Sequence, residues 1–217
     1  MRFIFEQIRT GGDRNFAYLI GDREEGVAAA VDPSFEPERT LERAKAQGLS
    51  INYIFNTHGH ADHTNGNAAM KEATGAKVLA HADIPGGPDR ALHDGEVLSV
   101  GEFAIRVFHV PGHCPDHVLF QIPEQSIAIS GDLLFVGKIG GTAGEEDARA
   151  EYESLWRVLA ELPDDTTVWP GHDYGCRPST TIALEKATNP FLMAADFEAF
   201  YRLKQEWATF KATNGLA

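Results

Sequence analysis

The chain has 217 residues and a formal net charge of −13, a balance that disfavours nucleic acid and anionic lipid as partners. Hydrophobic residues make up 43% and charged residues 24%, enough to build a sizeable core, and no apolar run approaches the roughly 18 residues of a membrane span. Two cysteines, Cys114 and Cys176, are too few for a disulfide framework and are expected to be reduced thiols in a cytoplasmic protein.

Residues 2–8 and 15–20 are expected strands, joined by a Gly11-Gly12-Asp13 turn. Glu6 comes early and no long apolar stretch follows, so the start reads as a first strand and not as a secretory leader. Val27 to Val31 is a buried strand stopped by Asp32-Pro33. A helix follows, with Pro37 in its first turn, Leu41 and Ala44 on one face and Gly48 past its end. Residues 51–56 form a further buried strand, 64–74 a short helix ended by Gly75, and 77–80 another strand. Beyond the Gly- and Pro-rich stretch 85–88, segments 96–100, 103–110, 118–122 and 126–129 have strand patterning.

Residues 145–162 form an amphipathic helix, with Tyr152, Leu155, Trp156 and Leu159 at helical spacing. Residues 166–169 form the last expected strand. The stretch 190–213 is expected to be one helix, carrying Phe197, Phe200, Leu203, Trp207 and Phe210. No repeat or linker interrupts this order. It predicts an α/β (α+β) protein in one domain over 1–217, with two mixed sheets covered by helices and a C-terminal helical segment from about 180 to 217. That last segment leaves two roles open, a cover for the cleft or a homodimer contact.

The strongest chemical signal is Thr57-His58-Gly59-His60-Ala61-Asp62-His63, directly after a strand. In an extended loop His58 and His60 point the same way, while Asp62 and His63 turn toward a second position. Imidazole nitrogen and carboxylate oxygen suit Zn²⁺, and also Fe²⁺ or Mn²⁺. Three further strands end in the same manner, in Pro111-Gly112-His113, Ser130-Gly131-Asp132 and Pro170-Gly171-His172. In each, a glycine lets the chain turn so that the next side chain can face inward. Taken alone, each is a surface histidine or a turn aspartate; together with the first motif they form a pattern. His81, His93 and His109 lack a partner motif and read as surface or strand residues. His117 is placed to support His113 from behind, and Cys114 reads as a small buried hydrophobe beside a ligand.

The full set resembles the metallo-β-lactamase superfamily from the first strands to at least Gly175. That resemblance implies an αββα sandwich and two metal ions. His58, His60 and His113 would hold the first, and Asp62, His63 and His172 the second, with Asp132 bridging them. Within the superfamily the chain is most similar to the glyoxalase II branch. The matching stretches are Asn15-Phe16-Ala17-Tyr18-Leu19-Ile20, Asn56 to Thr64, Gly131-Asp132-Leu133-Leu134-Phe135, Gly171-His172-Asp173-Tyr174 and Asn189-Pro190-Phe191-Leu192.

The resemblance implies hydrolysis of a thioester, a hydroxyacyl-glutathione or a similar thiol ester, by a hydroxide bound at two Zn²⁺ ions, with Fe²⁺ or a mixed Zn/Fe/Mn centre as the alternative. Asp62 and Asp132 would be the catalytic residues that hold the metals and orient the hydroxide, and Tyr174 and Lys138 would contact the thiol carrier. Two departures bear on the carrier. The branch has a basic residue in a Gly-Cys-Gly-Lys-like loop, where this chain reads Gly137-Lys138-Ile139-Gly140-Gly141-Thr142, with Gly141 at the basic position. The C-terminal part is also shorter than the branch's substrate domain. A short C-terminus is shared by the persulfide dioxygenases of this fold, which use one Fe²⁺ held here by His58, His113 and Asp132. That is the competing reading, beside another hydrolase of the fold such as a lactonase.

Overall fold

Alternation along the second strand explains how the layers form. In the computed structural model, which describes residues 1–214, Phe16, Tyr18 and Ile20 point into one buried cluster and Leu19 into another. A strand apolar on both faces must be covered twice, once by a second sheet and once by helices. The chain runs β1 (Phe3–Gly11), β2 (Asn15–Asp22), β3 (Val27–Val31), α1 (Pro37–Ala46), β4 (Ser50–Phe55), α2 (Ala61–Thr64), α3 (Asn67–Thr74), β5 (Lys77–His81) and β6 (Arg90–Leu92). These strands form one six-stranded sheet in sequence order, antiparallel from β1 to β3 and parallel from β3 to β6. The second half runs β7 (Val97–Val100), β8 (Phe103–His109), β9 (Val118–Ile122), β10 (Ile127–Gly131), α4 (Glu145–Glu161), β11 (Thr167–Pro170), β12 (Thr180–Thr181), α5 (Ile182–Thr188), α6 (Phe197–Gln205) and α7 (Trp207–Asn214). Its six strands form the second sheet, again in sequence order, with only β10 and β11 parallel.

Phe55, Val107, Phe120 and Ile129 fill the space between the sheets. Ala44 and Met70 of α1 and α3 cover the first sheet, and Leu155, Val158 and Phe200 of α4 and α6 cover the second. The result is the αββα sandwich. No helix of the described residues is long and apolar enough to cross a membrane.

Two expected helices are each divided in the structure. The helix expected at 64–74 starts only at Asn67 as α3, and Thr64 instead ends α2, a short helix that carries Asp62 and His63 where a loop was expected; Asn65-Gly66 separates the two. Gly66 is pressed against the chain at Pro33, where a Cβ would lie 1.6 Å from the carbonyl oxygen, and Asn65 Oδ1 accepts the Phe35 amide at 2.7 Å. The helix expected at 190–213 begins only at Phe197, where Asp196 caps α6 by accepting the Ala199 amide at 2.9 Å, and it ends a first run at Glu206. The preceding residues turn so that Phe191 packs on Phe200 and Trp207. Strands β6 and β12 lie where no strand was expected, while helix α5 falls inside the helical segment expected from about 180. Residues 215–217 of the expected C-terminal segment lie outside the described residues.

Asp22 ties the two sheets together. Its buried carboxylate accepts from Arg2 at 2.8 and 2.9 Å, from the Glu24 amide at 3.0 Å, and from the Glu102 amide, in the turn between β7 and β8, at 3.1 Å. Arg2, then these amides, hold its pKa well below the usual carboxylate range against the opposing effect of burial. The unfolded chain therefore takes up the proton first as pH falls. The stabilisation is complete above about pH 5 and fades as the pH drops toward the depressed folded value. Urea unfolding between pH 6 and pH 3 is expected to show Asp22→Asn less stable than the parent at pH 6, the two converging toward pH 3. An undiminished difference at pH 3 contradicts the assignment.

Candidate metal centre

The ends of β2, β4, β10 and β11 meet at one edge of the sandwich, and backbone bonds lock them in register. The Phe16 amide donates to Gly171 O at 2.8 Å, Gly171 N to Gly131 O at 2.8 Å, and Val118 N to Thr57 O at 2.7 Å. The residues after β4, β8, β10 and β11 converge there. Gly112 and Gly131 have φ of +141° and +50°, so the turn into His113 and into Asp132 needs glycine's freedom. At Gly171 the requirement is space, since a Cβ there would lie 2.4 Å from Asp132 Oδ1.

All seven expected ligand residues come together. His58, His60 and His113 form one group able to hold a metal ion, and Asp62, His63 and His172 form another. His60 Nδ1 is 3.1 Å from His58 Nε2 and 3.0 Å from His113 Nε2, and His63 Nε2 is 3.2 Å from His172 Nε2. Asp132 reaches both groups: its Oδ2 is 3.6 Å from His113 Nε2 and 3.3 Å from His172 Nε2, and its Oδ1 is 3.5 Å from His63 Nε2. Asp62 Oδ2 lies 3.5 Å from His172 Nε2 and 3.7 Å from His63 Nε2. His58, His63, Asp132 and His172 are buried, Asp62 and His113 are half-buried, and His60 is exposed.

The residues behind these donors set the histidine tautomers. His113 Nδ1 donates to Gly141 O and His172 Nδ1 to Asp13 O, both at 2.8 Å. His63 Nδ1 donates to Asp32 Oδ2 at 3.0 Å, and His58 Nδ1 to Thr57 Oγ1, also at 3.0 Å. Thr57 Oγ1 in turn donates to Asp32 Oδ2 at 2.6 Å. With four Nδ1 atoms committed outward, the Nε2 atoms of His58, His63, His113 and His172 face inward. Ring nitrogens about 3 Å apart must share a cation, either a proton, as the raised His63 does, or a metal ion that takes its place. The spacing matches one edge of a tetrahedral zinc site, about 3.4 Å for Zn–N bonds of about 2.1 Å. Asp132 Oδ1 is buried without a hydrogen-bond partner, an uncompensated acceptor that a cation satisfies. The donor set fits divalent metal ions in two subsites, and its all-nitrogen-and-oxygen composition admits zinc, iron or manganese.

The electrostatics follow from this crowding. Burial and the neighbouring His63 and His117 push His58 well below its ordinary value. Burial also opposes the charge on His63, but Asp132 and Asp32 outweigh it and lift that imidazole to about 9. Asp132, despite burial, is held well below the usual carboxylate range by His63 and His172.

Asp32 is the principal residue that motif reading passed over; it also accepts the Thr57 amide at 2.8 Å and so supports both subsites. It stands at φ +46° directly after β3, in the same strand-end setting as the ligands, and that position was the available signal. Asn15 Nδ2 donates to Asp62 Oδ2 at 3.1 Å and to the Asp62 carbonyl at 3.0 Å. His117 stacks on His58, with ring centroids 4.9 Å apart, and its Nε2 accepts the Asp132 amide at 3.0 Å, so it does stand behind the ligands. His81 is stacked on His109, outside the cluster. Cys114 is half-buried, not buried as a core residue would be, and burial with the nearby Asp116 carboxylate pushes its thiol well up. Tyr174 and Lys138 line one cavity of about 860 Å³ with His113 and Asp132. Tyr174 stacks on His172 at 4.6 Å with Lys138 Nζ 3.9 Å from its ring centroid, and its hydroxyl donates to Asp13 Oδ2 at 2.6 Å.

The chain belongs to the metallo-β-lactamase superfamily, whose family model matches residues 10–172. Among curated relatives, it is 44% identical over 177 residues to a hydroxyacylglutathione hydrolase from a Polaromonas species, covering 79% of this chain and 67% of that hydrolase. A second such hydrolase, from Erythrobacter litoralis, is 37% identical, with 74% of this chain and 63% of the hydrolase covered. The chain thus spans about two thirds of the length of these relatives. The crystal structure of ETHE1 from Myxococcus xanthus superposes with a TM-score of 0.87 at 33% identity, covering 94% of this chain and 91% of that one.

Proposed function

We propose that this protein is a metal-dependent hydrolase of the glyoxalase II type, cleaving the thioester of an anionic thiol carrier of the glutathione class. One observation carries the reading: a bridged, two-subsite donor cluster opens into a cavity ringed by Arg14, Lys138, Arg177 and Lys211, in a chain whose net charge is −13. Four cations against three carboxylates, Asp13, Asp132 and Glu185, give this cavity a positive balance in an acidic protein, and that favours a substrate with carboxylates. Similarity to hydroxyacylglutathione hydrolases supports the same substrate class. The free thiols fit a reducing, cytoplasmic setting.

When bound at such a centre, divalent ions act as Lewis acids and lower the pKa of coordinated water; we propose two Zn²⁺, with iron or manganese as alternatives. His58, His60 and His113 would hold one ion, Asp62, His63 and His172 the other, and Asp132 both. The half-buried Asp62 carboxylate, steered by Asn15, would hold the metal-bound water in place. Lys138, Lys211 and the face of Tyr174 hold the carrier so that the thioester carbonyl lies over the centre. The Lys138 ammonium is destabilised by burial and then by nearby Lys211, and a bound carboxylate relieves that repulsion. Lys138→Ala and Lys211→Ala are each expected to raise KM about fivefold to tenfold with kcat within twofold, an effect of roughly 1–1.4 kcal/mol that shrinks in 0.5 M salt. A fall in kcat at unchanged KM contradicts this role.

Persulfide dioxygenation remains the second reading, favoured by the full-length match to ETHE1. The human relative named persulfide dioxygenase is 32% identical, with 75% of its length covered. Against it, the hydroxyacylglutathione hydrolases are more similar to this chain, at 44% and 37% identity. Thiol release from S-lactoyl-glutathione and oxygen uptake with glutathione persulfide, measured on the same preparation, separate the two. Thiol release without oxygen uptake is expected; oxygen uptake without thioester cleavage replaces the first reading with the second.

A further inference from the structure

A buried ion pair stands behind the metal centre and takes no part in it directly. Glu151 of α4 is fully buried and Lys204 of α6 nearly so. Lys204 Nζ pairs with Glu151 Oε2 and donates to Gly140 O at 2.8 Å. Burying two charges is costly, and pairing offsets that only in part, so the pair is poorly explained by stability alone. Burial pushes the Glu151 carboxyl up against the pull of Lys204, and its Oε1 has no hydrogen-bond partner.

The position of the pair relates it to one ligand. Gly112, directly before His113, packs on α4 so closely that a Cβ there would lie 2.3 Å from Glu151 Cβ. A Cβ on Gly140 would lie 3.1 Å from both Glu151 Oε1 and His113 Nδ1. The next carbonyl along, Gly141 O, accepts the His113 Nδ1 proton. The pair therefore sits between the loop that carries His113 and the loop that orients its ring. Among the described residues, α6 lies beyond the segment matched by the family model, yet reaches this point.

We infer that Lys204 and Glu151 are positioning residues for the first metal subsite, a strut that fixes the Gly140-Gly141 backbone and through it the His113 imidazole. This rests on the two-subsite reading above, and the parent protein's own metal binding tests that reading separately. Outer supports of this kind typically change metal affinity 10–100-fold. The test compares four proteins by Co²⁺ titration against a chelator: the parent, His113→Ala, Lys204→Met, and the double variant Glu151→Gln/Lys204→Met. The double variant leaves no unpaired buried charge and so guards against simple unfolding. In both Lys204 variants, the metal equivalent that His113→Ala loses is expected to weaken at least tenfold, with a changed Co²⁺ absorption band. The other equivalent stays within threefold of the parent, and the melting temperature of the metal-free double variant stays within a few degrees. Parent-like affinity at both subsites, or an equal loss at both, overturns the inference.

Discussion

Asp132→Ala is expected to abolish binding at both subsites together and to lower kcat/KM for thioester cleavage at least about 1000-fold, a loss of roughly 4 kcal/mol in transition-state stabilisation. The reason is geometric. Asp132 alone places carboxylate oxygens within 3.6 Å of donors of both groups, toward His113 with one oxygen and toward His63 with the other. His58 and His63 also form a set with Asp132 itself, and each remaining ligand belongs to a single group. The carboxylate is also the negative charge that the inward-facing histidines share, since His63 and His172 hold it ionised. Metal content after gel filtration reads the first effect and steady-state kinetics the second. An Asp132→Ala protein that keeps one metal equivalent at parent affinity contradicts a shared bridging role.

Asp32→Ala is expected to be the more damaging change for the fold. It strips the acceptor from four buried donors, the Asn56 side-chain amide, the Thr57 amide, the Thr57 hydroxyl and His63 Nδ1. Donors left unpaired in the interior cost about 1–3 kcal/mol each, and breaking a buried charged network costs about 3–5 kcal/mol as a whole. Alanine also tolerates the left-handed backbone at this position less well than aspartate. Because His63 leans on Asp32 directly and His58 through Thr57, metal affinity at both subsites is expected to fall 10–100-fold. Urea unfolding of the metal-free protein and chelator competition of the loaded one read the two effects. Asp32→Asn separates them from strain, since asparagine accepts the left-handed backbone but offers no carboxylate. If Asp32→Asn retains parent stability and parent metal affinity, Asp32 is not the common support.

What the chain discloses before folding and what it conceals divide along distance in sequence. The ligands were legible because each lies just after an apolar strand, and strands β4, β8, β10 and β11 carry clear patterning. The layer order was legible from the same alternation that places Phe16, Tyr18 and Ile20 opposite Leu19. The supports were not, because their partners are remote. Asp32 meets Thr57 and His63 across 25 and 31 residues, and Lys204 meets Gly140 across 64. No local spacing encodes such pairs. The missed elements were short: β6 has three residues and β12 two, held by neighbours and not by their own patterning. The breaks at Asn65-Gly66 and Glu206 come from tertiary contacts with Pro33 and Phe191, which helical periodicity cannot express.

The proposed reaction requires both subsites to be filled together. It is tested most directly by stripping the protein with a chelator and measuring kcat for S-lactoyl-glutathione as Zn²⁺ is added back in steps. Activity is expected to rise through the second equivalent and then level off. Full activity at one equivalent, or none at two, contradicts it.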